Sequence, residues 1–392
     1  RAGQGKRLAQ LLAQPDILEA TWARDEFELK GYWARLEASG EGDLVASLAP
    51  LLDNRQALVE GVLHAAAHLL DDFGHPAEEL TLLTELEQRF EAAKRLPELE
   101  ATLGHAALLH YTRGDIASAW QLLQRQQSLC EQLADEKGLI ACLGDQARLL
   151  SRQGKLHEAL GLLEKEEMLA RKLGGPAELQ SALHEQALVL LQLGQEDSAL
   201  FLLGEQEELC RRLGHLDGLR MALGTRAMVL AKMGLLEEAL ALHEEEEALC
   251  RRLGNKRGLV RSLGNRGEVL ARLGQPEEAW LLHQQQLALA REAHNARGIT
   301  LALLHQASLL IGWQRFSEAL PPLSEALQLA RANGYVEEQT LALTSQAEVA
   351  KALGEREKAF QLASQAFQLL EDHQLKELEP ALCLRLSRLL DT

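Results

Sequence analysis

Polar and charged side chains recur at forty-residue intervals in this chain of 392 residues, and their types suit recognition better than bond-making. One column reads His105, Asp145, Glu185, Thr225, Asn265, His305 and Ser345. Another, three residues on, includes Arg148, Met228, Glu268, Ser308 and Glu348, while Lys232, Arg261 and Arg272 fall further along the same helix face. Such a mixture of donors, acceptors and both charges can hold a peptide backbone and its side chains. Asn265 is the strongest single candidate, because a carboxamide both donates and accepts. Catalysis needs a nucleophile with its base, or a metal set, in one place. No HExxH, GxSxG or kinase-type pattern occurs, so the chain reads as a non-enzyme with no catalytic residue, cofactor or metal. His64 and His68 lie four apart on an expected helix, a spacing that is mostly incidental. His243 and His283 share one column, which points to packing. Gly3-Gln-Gly-Lys6 has the wrong glycine spacing for a phosphate loop, and no Ser or Thr follows Lys6.

Composition narrows the partners. Fifty-eight acidic against forty-one basic residues leave a net charge of −17 with no segregated Lys/Arg block, which disfavours nucleic acid and anionic membrane surfaces. No run of about eighteen apolar residues is present to span a bilayer. Glu244-Glu-Glu-Glu247, with Glu164-Lys-Glu-Glu167 and Glu205-Gln-Glu-Glu208, forms an acidic stripe, read as a solvated outer face in preference to a docking face for a basic partner. Cys130, Cys210 and Cys250 sit in one column too widely spaced for disulfides, so they read as buried small hydrophobes in a reducing cytoplasm.

The elements that position these columns follow from the glycines. Gly74, Gly114, Gly154, Gly194, Gly234, Gly274 and Gly354 recur every forty residues, Gln314 replaces one, and alanine stands five residues after each position from Gly114 onward. One supersecondary unit copied in tandem gives this register. Leu139, Leu143, Ala147 and Leu150 form an apolar helical stripe ending at Gly154; a second stripe runs through Leu156, Ala159, Leu163 and Leu173 to Gly174-Gly175-Pro176. The unit is a helical hairpin, and the chain is all-α, with no strand-rich segment. Eight hairpins are expected, beginning near 56, 98, 137, 177, 217, 257, 297 and 337, within a domain spanning 53–392 that ends in a capping helix over 376–391. Pro321-Pro322 and Gln314 together mark the seventh hairpin as a place where the array bends or merely drifts. Residues 1–52 lack the forty-residue register and form a separate helical segment; Trp22, Tyr32 and Trp33 within it are expected to pack on the first hairpin. The absence of a methionine and of a signal-peptide core at Arg1 suggests a piece of a longer polypeptide.

The stretch from Gly258 to Gly274, followed by Pro276-Glu-Glu-Ala279, resembles the tetratricopeptide repeat in its longer form, as in kinesin-light-chain and Pins/LGN-like members. Ala147 and Ala159 align with that family's small residues. One departure is consistent: the family's second small residue of helix two is here Gln126, Glu166, Gln206, Glu246 and Gln286, suiting a looser packing. The resemblance implies a right-handed superhelical solenoid whose first helices line a concave groove. Asp145, Arg148, Glu185, Thr225, Lys232, Arg261, Asn265, Glu268, Arg272 and His305 would then contact a protein or peptide ligand. The segment Arg7 to Ala20, with Trp33-Ala-Arg-Leu36, is similar to the connector before the repeat sensor of STAND-type signalling NTPases, implying an adjacent NTPase module. A small-peptide receptor of the quorum-sensing type, or a cargo or scaffold adaptor, is the alternative.

Overall fold

In a computed structural model the described residues are 76–372 and 380–390, together with Leu63, Ala67 and Leu70. The expected connector 1–52, His64, His68 and the start of the capping helix therefore lie outside the described residues. Sixteen helices are present among those described, and no strand. They divide into two compact units at Gln195/Glu196.

The first unit holds α1 (Pro76–Ala92), α2 (Leu96–Thr112), α3 (Ile116–Leu133), α4 (Glu136–Arg152), α5 (Leu156–Leu173) and α6 (Pro176–Gln192). Here α2–α3 and α4–α5 are hairpins, and α6 packs on α4 and α5. The second unit begins with α7 (Glu196–Leu213), which packs on α8 (Leu216–Lys232). α8 pairs with α9 (Leu236–Leu253), α10 (Lys256–Arg272) with α11 (Pro276–Glu292), α12 (Ala296–Gly312) with α13 (Phe316–Asn333), and α14 (Val336–Ala352) with α15 (Arg356–Asp372). Finally α16 (Pro380–Leu390) covers α14 and α15 with Leu382, Leu386 and Leu389. The all-α architecture of tandem hairpins is thus as the sequence indicated. No helix among the described residues is long and apolar enough to cross a membrane.

The backbone is punctuated every twenty residues. Positive φ recurs at 94, 114, 134 and every twentieth residue to 354, taken by glycine at ten of these positions and by Lys94, Ala134, His294 and Gln314 at the others. At these positions a left-handed residue closes the preceding helix: the Gly154 N–H donates to Ser151 O (3.0 Å) and that of Lys155 to Leu150 O (2.9 Å). Gln314 at φ 59° makes the same turn, with Gln314 N–H to Ile311 O (2.9 Å) and Arg315 N–H to Leu310 O (2.8 Å). The turn therefore survives loss of its glycine. Likewise α13 runs unbroken through Pro321-Pro322. The two carbonyls left without helical donors belong to the exposed Ser317 and Glu318, where water can satisfy them. The seventh hairpin keeps the register of the others.

Packing explains the repeated residues. The leucine column Leu143, Leu183, Leu223, Leu263, Leu303 and Leu343 is at most 4% exposed, as is the alanine column from Ala119 to Ala359. Gly267 interrupts the other small column (Ala147, Ala187, Ala227, Ala307, Ala347) because a Cβ there would stand 2.5 Å from Cε1 of the buried His283. The five cysteines are all free, and four are buried; burial pushes the Cys142 thiol up to about 12 and Cys250 to about 11, so both stay protonated and inert.

Candidate functional site

The polar column on the second helices is not loosely packed. Gln126, Glu166, Gln206, Glu246 and Gln286 are each at most 5% exposed. Four of them lie against a glycine twenty-two residues earlier on the first helix of the same hairpin: a Cβ at Gly104, Gly144, Gly224 or Gly264 would come within 2.7, 3.1, 2.5 or 2.5 Å of the facing amide or carboxylate. Where the first helix carries Leu304 or Thr344 instead, the second carries Ala326 or Ala366. The expectation of looser packing is corrected: in these four pairs a long polar side chain fills the space a missing Cβ leaves.

Most of these buried groups are satisfied locally. Gln126 Nε2 donates to Glu100 Oε1 at 2.6 Å, while its Oε1 is enclosed without a partner. Glu246 lies between His243 Nδ1 (3.0 Å) and Arg261 Nη2 (3.1 Å). Gln286 Oε1 is 3.3 Å from Nδ1 of both His283 and His305, whose rings sit 4.7 Å apart. Burial pushes the His283 imidazole down to about 4 and, with His283 beside it, His305 to about 3, so both are neutral at pH 7.

Glu166 differs. Its Oε2 is enclosed without a hydrogen-bond partner, and burial, helped by Glu185 and opposed by Arg148, pushes the carboxyl up to about 7. It forms part of the wall of a groove of about 410 Å³ between α4 and α6. Small residues (Ala141, Gly144, Ala177 and Ser181) make the room, and Lys137, Asp145, Arg148, Glu178 and Glu185 supply the charge. Asp145 and Arg148 are ion-paired to each other across one helical turn.

Three of the sequence-derived candidates, Asp145, Arg148 and Glu185, thus come together at this groove. The second unit does not gather its seven in the same way. Lys232, in the last turn of α8, is tied to Glu196 of α7 at 2.7 Å. Arg261 is committed to Glu246, and His305 to Gln286 and His283. Thr225 is half-buried, while Glu268 and Arg272 are exposed on α10. Asn265 has an enclosed Nδ2 with no acceptor. Glu166 and Gly144 escaped the sequence reading of the groove; the signal available for them was the pairing of a first-helix glycine with a long polar residue twenty-two positions on.

The acidic stripe is largely neutralised from within each unit. Glu207 receives Arg226 Nη1 (2.6 Å) and Arg211 (3.0 Å); Arg211 continues to Glu245 (2.7 Å). Glu247 receives Arg266 Nη1 (2.8 Å) and Arg251 (2.7 Å), and Arg266 also reaches Glu244 (2.9 Å). In the first unit Glu167 accepts from Gln186 Nε2 (2.7 Å) and Arg171 Nε (2.7 Å). These ladders stitch successive hairpins together, in keeping with a structural outer face.

With this geometry in place, comparison with known proteins is informative about the repeat. Residues 218–292 match the tetratricopeptide repeat family. The match covers α8 to α11, the two hairpins containing the stretch on which the resemblance rested. No curated protein matches the chain. Among solved structures, the chain is similar to a signal transduction ATPase with numerous domains (STAND) with a tetratricopeptide repeat sensor from Pyrococcus horikoshii: 15% identity, 94% of this chain, 56% of that one, TM-score 0.59. The chain therefore spans little more than half of that protein's length. It is also similar to aspartyl phosphate phosphatase F from Bacillus subtilis (12% identity, 94% of this chain, 92% of that one, TM-score 0.58). A third is the Rap conjugation gene regulator of plasmid pLS20 in complex with the Phr* peptide (13% identity, 95% and 97% covered, TM-score 0.54). At these identities the likeness is one of fold.

Proposed function

We propose that the chain is an interaction module that binds a protein or peptide through its first helices, as the sensing or scaffolding region of a larger intracellular signalling protein. The groove between α4 and α6 carries this reading: it is a concave site with both charges converging on it and an unpaired carboxylate inside, features of a ligand site rather than of inter-repeat packing. Asn265, with its unused buried donor, is the second-unit counterpart. The compensated charge ladders of the second helices further favour the first-helix face. The fold shared with a STAND protein bearing a repeat sensor supports a sensor beside an NTPase module, joined through the segment 1–52, within a domain arrangement of connector, solenoid and cap. The fold shared with a Rap regulator in complex with a peptide supports a peptide receptor as the alternative.

Selection of a random peptide display library against the chain tests this. The expected result is a set of peptides whose binding falls at least tenfold in Glu185→Lys and in Asn265→Ala, with helical circular dichroism unchanged. Peptides that bind both variants as well as the parent would remove the first-helix face as the site.

A further inference from the structure

Four second-helix side chains are placed against first-helix glycines, and three have a neighbour bonded to the head group: Gln126 donates to Glu100 through Nε2 while its Oε1 stays without a partner, Glu246 is held by His243 and Arg261, and Gln286 by two histidines. The fourth, Glu166, is 95% buried and its Oε2 has no partner. A carboxylate removed from water without a donor is costly, and native structures keep such a group where something else completes it. Here the completing group has a way in. Glu166 borders the groove next to Gly144, where no Cβ stands between α4 and the carboxylate.

The surrounding charge defines what enters. Asp145, Glu178 and Glu185 line the groove along with Glu166, against Lys137 and Arg148, and Arg148 is already paired with Asp145. An incoming anion would meet an excess of carboxylates; an incoming cation with several N–H donors would satisfy Glu166 and offset Glu185. The volume of about 410 Å³ accommodates a long side chain together with a short length of backbone. We propose that this groove is a cation subsite, in which Glu166 receives the guanidinium or ammonium head of a ligand's arginine or lysine and Glu185 flanks it. The subsite rests on the peptide-binding reading for the source of that cation, and free amines carry the same chemistry.

The test titrates the full chain by calorimetry with N-acetyl-Ala-Arg-Ala-amide, its citrulline analogue, which is neutral and nearly isosteric, and agmatine as a free guanidinium compound. The expected result is binding of the arginine probe at least tenfold tighter than the citrulline probe, a preference abolished in Glu166→Gln. That variant should fold, because the equivalent positions 126, 206 and 286 already carry glutamine. Ser181→Leu, which fills the groove from α6 without touching charge, should weaken the arginine probe likewise. Equal affinity for the arginine and citrulline probes, no binding of any probe, or an arginine preference that survives Glu166→Gln would each overturn the subsite. Agmatine binding as tightly as the arginine probe, with the same loss in Glu166→Gln, keeps the subsite but assigns it to free amines, against the peptide reading. Display-selected peptides lacking any Arg or Lys would leave the peptide reading standing and overturn the subsite.

Discussion

Replacing Glu166 by glutamine should stabilise the chain at neutral and alkaline pH, and the size of the gain follows from the burial of one carboxylate. In the unfolded chain this group titrates near 4.5; in the fold, burial and the neighbouring Glu185 hold it at about 7. Between those values the unfolded state binds fewer protons than the folded one, so the residue's contribution falls as pH rises and levels off above pH 7. At about 1.4 kcal/mol per pH unit, that interval amounts to a loss of about 3 kcal/mol. Glutamine has no proton to lose and keeps nearly the same volume against Gly144. Urea unfolding followed by helical circular dichroism, on parent and Glu166→Gln at half-unit steps from pH 4.5 to 8, isolates the effect as a difference. The two should be similar at pH 4.5, and the variant should become the more stable by most of that amount at pH 8. A difference that stays flat across the range, or a variant less stable than the parent at pH 8, would refute the view that Glu166 is an uncompensated buried acid.

Other substitutions probe the rest of the framework. Gln314→Gly should raise stability by about 1 kcal/mol in thermal unfolding, because the position is left-handed and glycine adopts it without a Cβ penalty. Gly224→Ala should cost about 1–3 kcal/mol, since the new Cβ would stand 2.5 Å from a Glu246 oxygen that His243 and Arg261 hold in place. Leu223→Ala, in a fully buried layer, should cost about 2–5 kcal/mol in urea unfolding. The His283 and His305 imidazoles have lowered values, so the unfolded state takes up protons first and stability falls as pH drops below about 6.5; the double change to glutamine should lose less stability between pH 7 and 5 than the parent does.

Much of the fold was legible because the turns and apolar stripes are local. Gly154 and the Leu143 and Ala159 columns mark helix ends and helix contacts without reference to distant residues. The twenty-residue rhythm was half hidden, since Lys94, Ala134, His294 and Gln314 adopt left-handed backbone with no glycine to announce it. Asp145, Arg148 and Glu185 were readable as matching positions on successive first helices, and all three line the groove. Lys232, Arg261 and His305 were not readable as packing residues, because their partners Glu196, Glu246, Gln286 and His283 lie on other helices. Arg261→Glu, which looks like a change at a binding face, would instead set a second carboxylate against buried Glu246. Glu166 escaped notice for the converse reason: its column looked uniform, and only the surroundings show that this member lacks a partner.

The central claim is that ligand binds on the first helices. Hydrogen–deuterium exchange of the full chain, with and without the tightest display-selected peptide, tests it most directly. The account predicts slowed exchange in first helices, in α4 and α6 of the first unit or in α10 around Asn265 of the second, with the second-helix segments bearing Glu207 and Glu247 unchanged. Protection confined to those second-helix segments would contradict it.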